Sequence, residues 1–287
     1  MKAYIYLFTC AFLLIAGMAN AQDDTNVTES GNTVEKPPRN NFYDRYIYTE
    51  KRVLEYPYIH EKDVFFERMI WREIDIREKF NHRFKNENDG QSFIELLLAA
   101  AKKGDVSLYT VEDDRFTNRM TEEETSTIGV SFDTVFIFDP DTYEEKAQVV
   151  ENVLDPTDIK RYRIKEVWFF DEERSELKCR ILGIAPIQDR LDQDGNVINS
   201  GPMFWLYYPE AREVLARFES FNYFNDAQRF TWEDVFEARL FHSYITKENN
   251  VYNRRVKDYK KNPIDVLLES DKLKQQIFHT EHDLWTY

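Results

Sequence analysis

Between residues 61 and 84 apolar positions recur at spacings of four and seven residues in two interleaved sets. Phe65, Met69, Ile76 and Phe80 form one, and Phe66, Ile70 and Ile74 form the other. At 100° per residue the sets become adjoining stripes over about half a circumference, wider than the ~100° stripe of a surface helix. The spacing predicts a helix over 61–84, covered on two sides by its own domain or by a partner, around which the chain is organised. Glu73 and Arg77 fall inside that arc in the favourable i,i+4 order. A desolvated pair there is expected to lose about 3–5 kcal/mol when one partner is removed. It reads either as a lock within the core or as a contact shared with another subunit. Asp75 and Lys79 fall on the polar side, as a solvated pair worth under ~1 kcal/mol.

Downstream, 86–90 reads as a turn. Ser92 and Glu95 then make a capping box for a helix that runs through Lys103 and stops at Gly104. Residues 106–110 read as a short strand, and 133–138 as another closed by Asp139 and Pro140. A charged stretch follows, and a short helix begins at Asp155 and Pro156. Glu122, Glu123 and Glu124 follow Thr121 and read as the first turn of a helix rather than a calcium cage. The clearest β signal covers 162–170, 175–187 and 203–208, for which antiparallel pairing is the economical arrangement. Asp192 to Asn196 reads as a hairpin tip, because Met203 stands where a calcium loop needs a bidentate Glu. Three helices complete the pattern. One starts at Tyr208 and Pro209 and runs to about Glu219. A second starts at Thr231 and is buried through Val235, Phe236, Leu240 and Ile245. A third opens at Asn262 and Pro263 and is buried through Leu267, Leu268, Leu273 and Ile277. The fold class is α+β, a small antiparallel sheet packed with several helices.

The N-terminal region has a different texture. Residues 1–21 read as a secretory signal, with Lys2, an apolar run from Tyr4 to Met18, and Ala19-Asn20-Ala21 before Gln22. Leu7, Phe8 and Thr9 before Cys10 match a lipoprotein signal poorly. Residues 22–41 are polar and aperiodic, a linker too poor in apolar surface to order itself. Residues 42–58 form an extended aromatic arm that lies across its own domain or adds to a neighbouring subunit. Residues 59–287 then make a single globular domain.

Charge and chemistry narrow the function. The chain has 38 basic and 53 acidic residues, a net charge of −15. That balance disfavours nucleic acid and anionic lipid as partners. Aromatic residues make up 15% of the chain, enough for a large core with some left for contact surfaces. Beyond the leader only Cys179 remains, alternating with Leu177 and Ile181 as a buried small hydrophobe would. No local sequence ties His60, His82, His242, His279 or His282 to it as a catalytic base. His279 and His282 lack a third metal ligand and read as part of a frayed acidic tail. No serine sits in a nucleophile elbow, and no cofactor motif is present. A carboxylate pair for an exported hydrolase or carbohydrate-processing enzyme stays open as the alternative reading, with no two residues singled out.

Six stretches in colinear order carry a resemblance: WREIDIREKFN (71–81), RIKEVWFFDEERS (163–175), RILGIAPI (180–187), FWLYYPEAREVLA (204–216), NDAQRFTWEDVFEARLFHSYI (225–245) and KENNVYNR (247–254). Over roughly residues 45–258 the chain resembles the GldN family, called PorN in non-gliding relatives, of the Bacteroidetes gliding-motility and type IX secretion machinery. The resemblance implies a non-enzymatic periplasmic subunit, held at the outer membrane through partners. It also implies assembly with a GldK-like lipoprotein into a ring, and contact with the periplasmic part of a GldM-like motor component. No catalytic, cofactor or metal residues carry over. Trp71, Arg72, Glu73, Asp75, Arg77 and Glu78 in the first block, and Trp205, Tyr207 and Tyr208 in the fourth, are the structural or interface candidates. Arg and aromatic residues are the types that anchor interfaces.

Overall fold

The described residues of this computed structural model are 52–85, 92–138, 145–191, 197–225, 227–228 and 230–284. The leader, the linker, arm residues 42–51, the turn at 86–90, the closure at Asp139 and Pro140 and the hairpin tip at 192–196 lie outside them. In order the elements are β1 (Val64–Asp75), α1 (Phe93–Lys102), β2 (Leu108–Tyr109), α2 (Glu122–Thr127), β3 (Val130–Phe138), β4 (Glu145–Val153), β5 (Ile159–Asp171), β6 (Glu176–Leu191), β7 (Val197–Pro202), β8 (Trp205–Tyr207), α3 (Tyr208–Leu215), β9 (Glu219–Ser220), β10 (Phe230–Thr231), α4 (Trp232–Glu237), β11 (Tyr244–Glu248), α5 (Val256–Tyr259) and α6 (Pro263–Leu284).

The stretch expected to be the organising helix is a strand. β1 is flanked by 3-10 turns at Glu61–Asp63 and Lys79–Phe84. A four-residue spacing keeps side chains together on a helix and also on a strand, whose period is two. Within the strand the two apparent stripes, Phe65 with Met69 and Phe66 with Ile70 and Ile74, are therefore the two faces of a sheet, and Ile76 and Phe80 lie beyond its end. Aromatic and β-branched residues (Val64, Phe65, Phe66, Ile70, Trp71, Ile74) settle the choice, as does β5, which pairs along the length of β1. Phe65 and Phe80, expected inside, are 73% and 44% exposed. The stretch remains the organising one, as a central strand.

The main sheet runs β11-β1-β5-β6-β8-β2, with β7 added along the far part of β6. Every pair is antiparallel. β5, β6 and β8 are the three strands the sequence pattern predicts, in the predicted arrangement. The sheet is larger than that because β7 and β11 arise from stretches without clean alternation. The helix opening at Trp232 stops at Glu237, Arg239 turns the chain with φ +53°, and Ile245 lies on a strand. β4, read only as charged sequence, pairs with β3 in a separate ribbon. α3 likewise ends at Leu215, short of Glu219.

Local signals fare better where capping chemistry is involved. Ser92 and Glu95 close a reciprocal capping box on α1, and Gly104 follows it at φ +78°. Thr121 and Glu124 do the same for α2, and Asp155 caps the short 3-10 turn at Pro156–Asp158. Helices α1, α3 and α4 cover one sheet face over an aromatic core of Phe84, Phe93, Tyr162, Trp232 and Phe236. The Phe93 and Trp232 rings are 4.4 Å apart. α6 packs Leu273 and Ile277 on Ile70 and Ile245. Its Ser270 Oγ accepts a 2.7 Å hydrogen bond from the Ile245 N–H, covering part of the β11 edge. Leu267 and Leu268, expected inside, are 55% and 63% exposed.

Candidate functional site

Period two along β1 sends Arg72 to the helix-covered face and Trp71 and Glu73 to the other. Arg72 Nε lies 2.6 Å from Glu166 Oε1 on β5, and Arg239 Nη1 lies 2.8 Å from Glu166 Oε2. Trp168 Nε1 donates to the same carboxylate at 2.9 Å. Burial opposes the charge on Glu166, but Arg239 and Arg72 outweigh it and hold the carboxyl below its ordinary range. Cys179 joins this cluster instead of sitting among hydrophobes, a correction to its predicted environment. Arg239 donates to its sulfur at 3.1 Å, and the sulfur lies 3.6 Å from Glu166 Oε2. Burial, and then Glu166, push the thiol well above its usual range, the reverse of an activated nucleophile.

Glu73 does not pair with Arg77. Its Oε1 is 2.7 Å from Arg163 Nη2 on β5, its Oε2 is 3.5 Å from Arg161, and Tyr244 Oη donates to it at 3.1 Å. Arg161 also reaches Asp189 and Ser200. Arg77 lies beyond the strand, 63% exposed in its side chain, and makes a bidentate contact with Asp75. Asp75 thus partners Arg77 rather than Lys79. Glu78 meets His242 Nδ1. The buried side chain of Asn81 closes this end of β1. Its amide donates to Asp75 O at 2.8 Å and to His242 O at 2.9 Å, and accepts from His242 N at 2.9 Å.

The face bearing Glu73 holds a cleft of about 1060 Å³ lined by Trp71, Arg163, Lys165, Trp205, Lys247 and Arg255. Lys247 Nζ lies 4.1 Å and Lys165 Nζ 5.7 Å from the Trp71 ring centre, within cation–π range. Burial lowers the pKa of both lysines. Lys165 also donates to the Asp114 carbonyl. Beside the cleft Phe116 packs against Tyr207 at 5.2 Å and Trp205 at 6.0 Å. The structure thus gathers Trp71, Glu73, Trp205 and Tyr207 on one face. Arg72 and Tyr208 lie in the opposite layer, where fully buried Tyr208 meets Phe236 at 5.7 Å. Asp75, Arg77 and Glu78 sit at the strand's end.

Residues 52–58 of the arm lie on the chain's own domain. The Tyr56 ring stacks 4.1 Å from the Arg212 guanidinium and 4.8 Å from that of Arg180, and its hydroxyl donates to Glu237. Arg212 Nη1 donates to Leu54 O and Arg180 Nη2 to Pro57 O, both at 2.8 Å. Sequence reasoning singled out none of Tyr56, Phe116, Arg163, Lys165, Arg212 or Lys247. Four of them fall inside the stretches quoted for the resemblance, the signal that was there to use.

The arrangement suits recognition by charge and shape. The buried carboxylates Glu73, Glu166 and Glu233 are each engaged by an arginine. Among the described residues, no three His, Cys, Asp or Glu side chains are placed to hold a metal ion. Nor is any described helix long and apolar enough to cross a membrane. α6 extends to Leu284, so His279 and His282 lie on a formed helix rather than a frayed tail. The model of a family described as "Gliding motility associated protein GldN" matches residues 59–286. None of the curated proteins matches the sequence.

Proposed function

The chain belongs to the GldN family and is a component of the gliding-motility and type IX secretion machinery; from that premise we propose that it is a periplasmic building block of the machine. In this reading it assembles with a GldK-like outer-membrane lipoprotein into a ring and contacts the periplasmic part of a GldM-like motor component. The observation that carries it is the extent of the family match, which takes in the whole sheet and the helices that cover it. The locked ion pairs on both faces of β1 support it too, because a scaffold that transmits force needs a strand whose register cannot slip. Of the sequence candidates, Trp71, Glu73, Trp205 and Tyr207 build the floor beneath the contact side, while Arg72 and Tyr208 hold the opposite layer of the fold.

Co-purification tests this directly. The purified chain, mixed with the GldK-like lipoprotein, should elute as one large assembly and form rings in negative stain. A clean deletion should abolish secretion of the system's substrates. Normal secretion in that deletion would overturn the reading.

A further inference from the structure

We propose that the cleft over Trp71 is a docking site for an extended acidic peptide segment of a partner protein, gripped chiefly by Lys247 and Arg255. Arg163 is matched by Glu73, and Lys165 by the Asp114 carbonyl with the Asp114 carboxylate 3.9 Å away. Asp113, on the rim, is occupied locally, accepting from Arg115 N at 3.0 Å and Thr117 Oγ1 at 3.2 Å. Lys247 and Arg255 line the same cleft, and neither has a carboxylate within ion-pair distance among the described residues. Burial disfavours the charge on Lys247, Asp114 partly offsets this, and Arg255 and Arg163 repel it, leaving the ammonium below its ordinary pKa. An incoming carboxylate relieves both penalties at once. The lining as a whole carries the cations Arg115, Arg163, Lys165, Lys247 and Arg255 against the carboxylates Glu112, Asp113 and Asp114. Even with Glu73 counted on Arg163, the cleft stays net positive in a chain of net charge −15, a local reversal of sign with a complementary ligand implied.

Size and lining point the same way. At about 1060 Å³ the cleft exceeds what a single small anion fills and reaches the upper end of ligand pockets, roughly 300–1,000 Å³. Trp71 and Trp205 are only 6% and 2% exposed, so their faces are not offered as platforms for a sugar ring or a nucleobase. Thr246 and Asn249 add polar groups suited to a peptide backbone. An acidic peptide meets all three conditions.

This names the chemistry of a partner and so rests on the reading of the chain as an assembly subunit. The test uses a fluorescein-labelled hexaglutamate peptide and the purified chain, followed by anisotropy, with hexaglutamine as the neutral control and inorganic phosphate as competitor. Hexaglutamate should bind, and added salt should weaken it. Lys247→Glu and Arg255→Glu should each reduce affinity about tenfold or more with unchanged circular dichroism and melting. Lys247→Gln, milder for folding, should fall between. Equal binding of hexaglutamine, indifference to all three substitutions, or displacement by equimolar phosphate overturns the proposal. So does a Lys247→Glu, Arg255→Glu chain that no longer binds the peptide yet still co-assembles and supports secretion. That last outcome leaves the proposed function standing, whereas normal secretion in the deletion removes the function whatever the peptide does.

Discussion

Arg72 and Glu73 are neighbours on one strand, yet their side chains anchor opposite faces of the sheet. Arg72 Nε reaches Glu166 at 2.6 Å beneath the helices, and Glu73 Oε1 reaches Arg163 Nη2 at 2.7 Å on the cleft side. Both partners lie on β5, opposite Ile70 and Glu73 in the register. A slip of one residue would turn Arg72 toward Arg163 and Glu73 toward Glu166, converting two attractions into two repulsions. The adjacent pair therefore specifies one register, and does so where the strand is most buried.

The first prediction follows from where the charges sit. Glu73→Gln leaves Arg163 buried without its partner and should cost about 3–5 kcal/mol. Arg77→Ala removes an exposed contact with Asp75 and should cost under ~1 kcal/mol. Urea unfolding of the two variants measures both. Equal losses would mean that Arg77, not Arg163, is the partner that matters to Glu73.

Acid stability should report on Glu166. Its folded carboxyl is held below its ordinary value of 4.5 by Arg239 and Arg72 against the opposing effect of burial. A depressed folded pKa means the unfolded chain takes up the proton first. The stabilisation is thus complete above about pH 4.5 and is lost as pH falls through the folded value. Protonation then leaves two arginines facing each other in the core. Glu166→Gln should lower stability at neutral pH and flatten the acid limb of the melting-temperature profile. A limb of unchanged steepness would assign acid unfolding to other carboxylates.

How far the sequence discloses this fold depends on which physical signal an element uses. Caps are local, so Ser92 with Glu95, Thr121 with Glu124 and Gly104 mark the ends of α1 and α2 within a few residues of chain. The long hairpin of β5 and β6 is likewise visible in its β-branched and aromatic runs. β1 is misread because Phe66, Ile70 and Ile74 satisfy a helix and a strand equally, and only the partner strand decides between them. Charged positions are harder still. Glu73 and Arg77 make a plausible helical pair, while the true partners Arg161 and Arg163 lie some ninety residues away. The cleft is invisible for the same reason, since Trp71, Lys165 and Lys247 come from three strands. The resemblance blocks mark the right regions without saying which side of the sheet each residue takes.

The described end of the arm should be separable from the core. Tyr56→Ala removes a ring stacked between Arg180 and Arg212 and the hydroxyl bonded to Glu237. Cation–π contacts of this kind are worth about 0.5–2 kcal/mol. The variant should keep its core circular dichroism while trypsin cuts at Arg52 much faster. Tyr56→Phe, which keeps the ring and loses one hydrogen bond, should sit between, near the ~1 kcal/mol such a bond contributes. Unchanged cleavage in Tyr56→Ala would show that Leu54 and Pro57, through their carbonyls, hold the segment without the ring.

Gly183 and Phe116 offer the sharpest packing test. A Cβ at residue 183 would stand 2.5 Å from Phe116 Cζ and 3.2 Å from the Leu206 carbonyl oxygen. Glycine is needed there because Phe116, itself at φ +61°, lays its ring directly on β6. Gly183→Ala should therefore lift Phe116 from the sheet and cost about 1–3 kcal/mol, the usual range for overpacking. Displacing Phe116 also disturbs Tyr207, Trp205 and the wall of the cleft, so hexaglutamate binding should fall with stability. The two effects separate in a double-mutant cycle. In a Phe116→Ala background the added methyl loses its clash with the ring and keeps only the 3.2 Å approach to the Leu206 carbonyl oxygen, so Gly183→Ala should cost much less than it does alone. Additive losses would place the strain at the Leu206 carbonyl rather than at the ring, and would predict a cleft that keeps its shape in the single variant.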